Sequence, residues 1–184
     1  MQVTTLDLVG PLLVKPQVFG DARGWFSETF RKNVLEQAGV DCDWVQDNQS
    51  FSVNAGTVRG LHFQLAPHAQ AKLVRVLAGS ILDVAVDLRR SSPTYLKHVA
   101  VKLDAENGEQ LYVPAGFAHG FCTLEANTMV AYKVSAYYSR EHDRNLAWND
   151  PELGIAWPVT AADAVLSDKD LAAPSIGQLG HAFD

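Results

Sequence analysis

Two short segments hold residue types suited to acid–base chemistry: Arg59-Gly60-Leu61-His62-Phe63-Gln64, and Gly108 followed at a fixed distance by Pro114-Ala115-Gly116-Phe117-Ala118-His119-Gly120. An imidazole titrates near neutral pH and can take or give a proton, which makes His62 a candidate base. A lone strand histidine is more often a satisfied structural residue. Ser167-Asp168-Lys169-Asp170 before Leu171 supplies two carboxylates, and its plain reading is a capping box that opens a short helix. Tyr132 offers a phenol and Lys72 an ammonium. Taken singly, the first reads as a strand aromatic and the second as a solvated cation. Cys42 and Cys122 lie far apart with no CxxC spacing, so neither a disulfide framework nor a thiolate zinc site is signalled.

Strand signals dominate the elements that must position these groups. From about Val58 to Tyr138, short β-rich runs are broken by turn residues at Ala78-Gly79, Ser91-Ser92-Pro93, Asn107-Gly108 and Pro114-Ala115-Gly116. In Ile81 to Leu88 the even positions Leu82, Val84, Val86 and Leu88 are apolar, while the odd ones include Asp83 and Asp87; this reads as a strand with one core-facing side. A regular strand over Met129 to Tyr138 would put Tyr132 and Tyr138 on one face. Helix is predicted only over Arg31 to Ala38, closed by Gly39, and at the capping box. The tail after Pro174, with Gly177 and Gly180, reads as loosely ordered. So many short strands predict an all-β sandwich, barrel or jelly roll.

At 184 residues, with 47% hydrophobic and 20% charged side chains, the chain predicts one globular domain over residues 1–184. Its net charge of −6 argues against a general nucleic-acid binder. An anionic ligand would need a local Arg and Lys cluster. No run approaches the roughly 18 apolar residues of a membrane helix, and MQVTTLDLVG lacks the plan of a secretory leader, so a soluble, cytoplasmic protein without a membrane partner is expected.

The spacing G-x5-P-x-G-x2-H ending at His119 is that of the second cupin motif, and RGLHFQ stands in the place of the first. The metal-binding form of the first motif needs His-x-His and a nearby Glu. Here the residue after His62-Phe63 is Gln64, and no Glu follows before Glu106, so a cupin barrel without a metal is expected. Seven runs in register carry a closer likeness: Phe19 to Phe26, Gln46 to Ser50, Arg59 to Gln64, Gln70 to Val74, Asp83 to Asp87, Pro114 to Phe121 and Leu166 to Asp170. Together they resemble the dTDP-4-dehydrorhamnose 3,5-epimerase family. The resemblance implies a cupin-type jelly-roll barrel with short peripheral helices, a homodimer, no cofactor, and a dTDP-4-keto-6-deoxy sugar as substrate.

In such a sugar the C3 and C5 hydrogens are both α to the C4 carbonyl. Inversion needs a base, an acid across the ring and a positive donor at the C4 oxygen. The resemblance assigns His62 as the base, Asp170 as the carboxylate that orients it, Tyr132 as the proton donor and Lys72 as the donor to the C4 oxyanion. It makes His119 a substrate contact, Arg23 and Arg59 the diphosphate cations, and Tyr138 the aromatic that stacks on thymine. Glu28, Gln46, Asp47, Asn48, Asp143 and Lys169 fall at or beside family substrate-contacting positions. Arg23 and Glu28 are expected to serve the neighbouring subunit. The segment between Trp157 and Ser167 is a residue longer than is common in the family, a departure that bears on the placing of Asp170 beside His62. Three alternatives stand beside this reading. They are an epimerase acting at C3 or C5 only on a related nucleotide sugar, a silent sugar-nucleotide-binding cupin, and a metal-dependent oxygenase, which the missing His-x-His opposes.

Overall fold

The computed structural model describes residues 1–184. A six-stranded sheet runs in the order β1 (Gln2–Thr5), β2 (Leu12–Lys15), β10 (Gln110–Val113), β7 (Lys72–Ala78), β12 (Thr128–Val134) and β5 (Gln46–Ser52). A five-stranded sheet runs β13 (Asp143–Asn145), β6 (Val58–Gln64), β11 (Phe117–Thr123), β8 (Ser80–Asp87) and β9 (His98–Asp104). A hairpin of β3 (Val18–Asp21) and β4 (Gly24–Ser27) stands apart from both. From β5 onward the chain changes sheet at nearly every turn, which is how a jelly roll closes most of its edges. The fold is the cupin-type jelly roll that the sequence predicts.

The core lies between the sheets. Val74, Val76, Leu111, Val113 and Val130 from the larger one meet Ile81, Ala85, Leu103, Phe117 and Phe121 from the smaller. A second cluster covers the outer face of the five-stranded sheet, where Leu61, Phe63, Val84, Val86, Leu88 and Ala118 pack under Leu146 and Leu153. Each large apolar side chain buried this fully contributes roughly 1.5–3 kcal/mol.

That second layer changes the reading of β8. Both of its faces are buried, because the chain after β13 folds back over the side opposite the inter-sheet core. That layer covers Val84, Val86 and Leu88, while Asp83 and Asp87 share the inter-sheet face with Ile81 and Ala85, so they too are fully buried rather than solvent-facing. Asp87 accepts from Arg89 Nε and a terminal guanidinium nitrogen, both at 2.8 Å, from Ser92 Oγ at 2.6 Å and from Thr94 Oγ1 at 2.7 Å.

The two predicted helices are present as α1 (Lys32–Gln37) and α2 (Asp168–Leu171). The tail is more ordered than its glycines predict. A third helix, α3 (Ile176–Leu179), opens with a capping box between Ser175 and Gln178, and Ile176, Leu179 and Phe183 pack on the outer cluster. Ser175-x-x-Gln178 is the sequence signal for it. The predicted strand from Met129 to Tyr138 stops at Val134, so Tyr138 lies in the loop before β13 rather than on the strand face of Tyr132.

Candidate active site

A cavity of about 200 Å³ opens between the sheets, lined by Ser50, Arg59, His62, Lys72, His119, Phe121, Tyr132, Ser167 and Asp170. Its two walls differ in chemistry. The five-stranded sheet contributes Arg59 and His62 on β6 and His119 on β11; the six-stranded sheet contributes Ser50 on β5, Lys72 on β7 and Tyr132 on β12. Strict alternation along β6 would put Arg59 and His62 on opposite faces. A register shift resolves this, because His119 pairs with His62 while Phe121 pairs with Arg59. The shift needs glycine: Gly60 has φ +137°, and a Cβ there would stand 2.5 Å from Gly120 Cα.

His62 Nε2 lies 2.5 Å from Asp170 Oδ1, so the longer Trp157–Ser167 segment does not prevent the contact. The Asp170 backbone N–H donates to Ser167 Oγ, and that hydroxyl donates to Asp170 Oδ2 at 2.7 Å. The capping carboxylate and the histidine partner are thus one residue. Burial pushes the Asp170 carboxyl up, but the hydrogen bonds from His62 and Ser167, with the charge of a protonated His62 and the Gly60 N–H, outweigh it and leave the pKa below the usual range. Asp170 can therefore stay ionised beside an imidazolium.

A second such pair lies on the neighbouring strands. His119 Nε2 is 2.7 Å from Asp83 Oδ1, and both side chains are buried. Burial pushes the His119 pKa down, against the pull of Asp83. Asp83 Oδ2 and Ser50 Oγ are buried with no hydrogen-bond partner. The sequence reading assigns no role to either; an acidic residue on a supposed solvent side and a serine ending a polar run carry no distinctive signal.

Burial pushes the Lys72 ammonium down to about 8, against the attraction of Asp83 and Asp143. Burial raises the Tyr132 phenol, with Arg59 opposing, so the hydroxyl keeps its proton at neutral pH. The cavity thus holds an imidazole–carboxylate pair on one wall and a protonated phenol and an ammonium on the other. It can remove a proton from one side of a small ring and return one from the other.

The remaining predicted residues are divided. Arg59 donates to Ser52 Oγ at 3.2 Å and to the Phe51 carbonyl at 3.0 Å, at the cavity edge. Gln46 and Asn48 share a 2.6 Å hydrogen bond, and Asn48 pairs in register with Tyr132. Asp47 alternates with them along β5, and its carboxylate is held by Lys133 at 2.9 Å. Asp143 joins Tyr138 to Lys169, accepting from the phenol at 3.2 Å and from the ammonium at 2.6 Å. Arg23 and Glu28 line no part of the cavity. Arg23 sits at the hairpin turn, paired with Asp21, and Glu28 faces Arg31.

A jelly roll that sets a histidine–aspartate pair against a tyrosine and a lysine is built for acid–base catalysis on a bound ring. Comparison with known proteins specifies the kind. The family model for dTDP-4-dehydrorhamnose 3,5-epimerase matches residues 5–178. A dTDP-4-dehydrorhamnose 3,5-epimerase of Sinorhizobium fredii is 53% identical over 183 residues, covering 100% of this chain and 93% of that protein. The crystal structure of dTDP-4-dehydrorhamnose 3,5-epimerase from Bacillus anthracis, with TDP and PPi bound, is similar with a TM-score of 0.92 and 51% identity, covering 95% of this chain and 99% of that one. A Legionella pneumophila enzyme, crystallised in complex with dTDP-4-keto-L-rhamnose, has a TM-score of 0.91 and 41% identity over 97% of this chain and 94% of its own. The chain belongs to the dTDP-4-dehydrorhamnose 3,5-epimerase family and is a carbohydrate epimerase, an isomerase.

Proposed function

We propose that this enzyme converts dTDP-4-dehydro-6-deoxy-D-glucose to dTDP-4-dehydro-L-rhamnose, inverting C3 and C5, as a step of dTDP-L-rhamnose synthesis. The observation that carries the reading is the disposition of one cavity: His62 with Asp170 on one wall, Tyr132 and Lys72 on the other. His62 takes the proton at C3, and the electron pair of the broken C–H bond moves into the C4 carbonyl as an enolate. Lys72 balances the charge at the C4 oxygen. Tyr132 then returns a proton to C3 from the opposite side; the phenolate recovers its proton from solvent and His62 releases its own. The same sequence at C5 gives the product. Electrons stay on the sugar throughout, so the step calls for no redox cofactor, and Gln64 at the position of a motif ligand fits chemistry that uses no metal.

Asp170 holds and balances the His62 cation, and His119, steered by Asp83, contacts the sugar. Arg59 meets the diphosphate and Tyr138 stacks on thymine, with Gln46, Asn48, Asp143 and Lys169 around the nucleotide. Strand β5 includes Asp47 among the substrate contacts, through its backbone, since its carboxylate is occupied by Lys133. The relatives that bind TDP and dTDP-4-keto-L-rhamnose support this ligand class. Residues 1–184 act as one domain in a cytoplasmic homodimer in which Arg23 and Glu28 complete the partner's site. The exposed Val18, Phe19, Trp25 and Phe26 of the β3–β4 hairpin support that arrangement.

The test is to incubate the protein with dTDP-4-keto-6-deoxy-D-glucose in D2O and follow C3 and C5 by NMR. Exchange and inversion at both carbons are expected. Exchange at one carbon would favour a single-centre epimerase, and none at either would leave only a binding protein.

A further inference from the structure

We propose that Gln64 is a positioning residue for the nucleotide base: it clamps the backbone on both sides of Tyr138 and so sets the ring on which the base stacks. The proposal rests on the stacking role given to Tyr138 above.

Gln64 ends β6, two residues beyond His62, and is only 4% exposed. Its amide makes three bonds. Nε2 donates to the His68 carbonyl at 2.8 Å and to the Tyr137 carbonyl at 3.2 Å, and Oε1 accepts from the Ser139 backbone N–H at 2.7 Å. The two residues bound in the second loop are the immediate neighbours of Tyr138. A primary amide has two donor hydrogens and one carbonyl oxygen, and here all are used. A glutamate would turn both carbonyl contacts repulsive, and an apolar residue would leave two buried carbonyls and an N–H unpaired.

Tyr138 needs such a hold, because the residue is 63% exposed and no strand ladder carries its backbone. The phenol gains one fixed point at Asp143 Oδ2, on the strand residue that pairs with Gln64, and the backbone gains the other from Gln64. The strand that presents His62 to the sugar thereby also sets the position of the base platform. Ordering that platform before the ligand arrives removes a cost from binding.

The experiment compares the parent with Gln64→Met, Tyr138→Ala and the double variant. Dissociation constants for dTDP and for inorganic diphosphate are measured with KM and kcat on the dTDP-sugar, and melting temperatures are recorded. Gln64→Met should weaken dTDP about tenfold and raise KM in proportion, with diphosphate affinity and kcat changed less than threefold. In the Tyr138→Ala background the same change should cost less than twofold, because the platform it serves is gone. Full additivity, equal loss for dTDP and diphosphate, or a lowered melting temperature with unchanged dTDP affinity would each overturn the proposal. If Tyr138→Ala itself left dTDP affinity unchanged, the stacking reading would fail. A weakened Tyr138→Ala with an unaffected Gln64→Met would sink the clamp alone. Should Gln64→Met fail to fold, amide exchange in the unmutated protein, which needs no variant, decides the clamp. Amide exchange in the ligand-free parent should also show Ser139 N–H protected well beyond its loop neighbours; exchange at the rate of an open loop would contradict the clamp.

Discussion

Asp170 uses both carboxylate oxygens, one toward His62 at 2.5 Å and one toward Ser167 at 2.7 Å. Asp170→Asn keeps the shape and removes the charge that an imidazolium needs, so kcat should fall by about 10²-fold or more with the fold retained, as steady-state kinetics and circular dichroism would show. His62→Asn should abolish deuterium exchange at both sugar carbons, because one base serves both; substantial residual exchange would remove His62 from its role. Lys72, as the proposed donor to the C4 oxygen, should set the alkaline limb of the pH profile. Its pKa is lowered to about 8, so the ammonium is present below that value and is lost as pH rises through it. The ratio kcat/KM should therefore decline above about pH 8, and Lys72→Arg, if active, should carry the decline to higher pH. As cavity residues, His62, Lys72 and Asp170 were legible through motif runs, and Tyr132 through the family resemblance alone. Ser50, Gln64 and Asp83 also lie in such runs, yet their roles were not legible, since these depend on which buried groups meet them across strands.

The strands were legible wherever alternation and turn residues agreed, but alternation says nothing about what covers the second face. In β8 the chain after β13 covers Val84, Val86 and Leu88, while the opposite face looks between the sheets, where the turn after the strand buries Asp87 among Arg89, Ser92 and Thr94. Burial opposes that charge, yet the hydrogen bonds prevail and hold the carboxyl at about 2, below its ordinary 3.8. The stabilisation is therefore complete above pH 3.8 and is lost as pH falls toward 2. Asp87→Asn should lower stability at pH 7 by roughly 2 kcal/mol and flatten the acid limb of a pH–melting curve; an unchanged limb would mean that Asp87 is not its source. The same blindness to tertiary context ended the predicted Met129–Tyr138 strand too late. Beyond Val134 the backbone is held by side chains such as Gln64 rather than by a ladder, and no local pattern announces that.

The jelly roll itself followed from many short strands and little helix, but what brings the chemistry together is the alternation of strands between two sheets, which no single segment contains. The hairpin of β3 and β4 shows the limit at this scale, because Trp25 is 71% exposed in one chain. Light scattering at micromolar protein should give about twice 20.1 kDa, and a value near 20.1 kDa would contradict the dimer. The central claim is that the two sheets present base and acid to opposite faces of the sugar. Tyr132→Phe tests it most directly, with deuterium incorporation and configuration read in the same NMR sample. The account predicts that solvent deuterium still enters at least one carbon while net inversion falls by about 10²-fold or more, because the enolate forms but lacks its donor on the far face. Inversion of both centres at nearly the parent rate would contradict it.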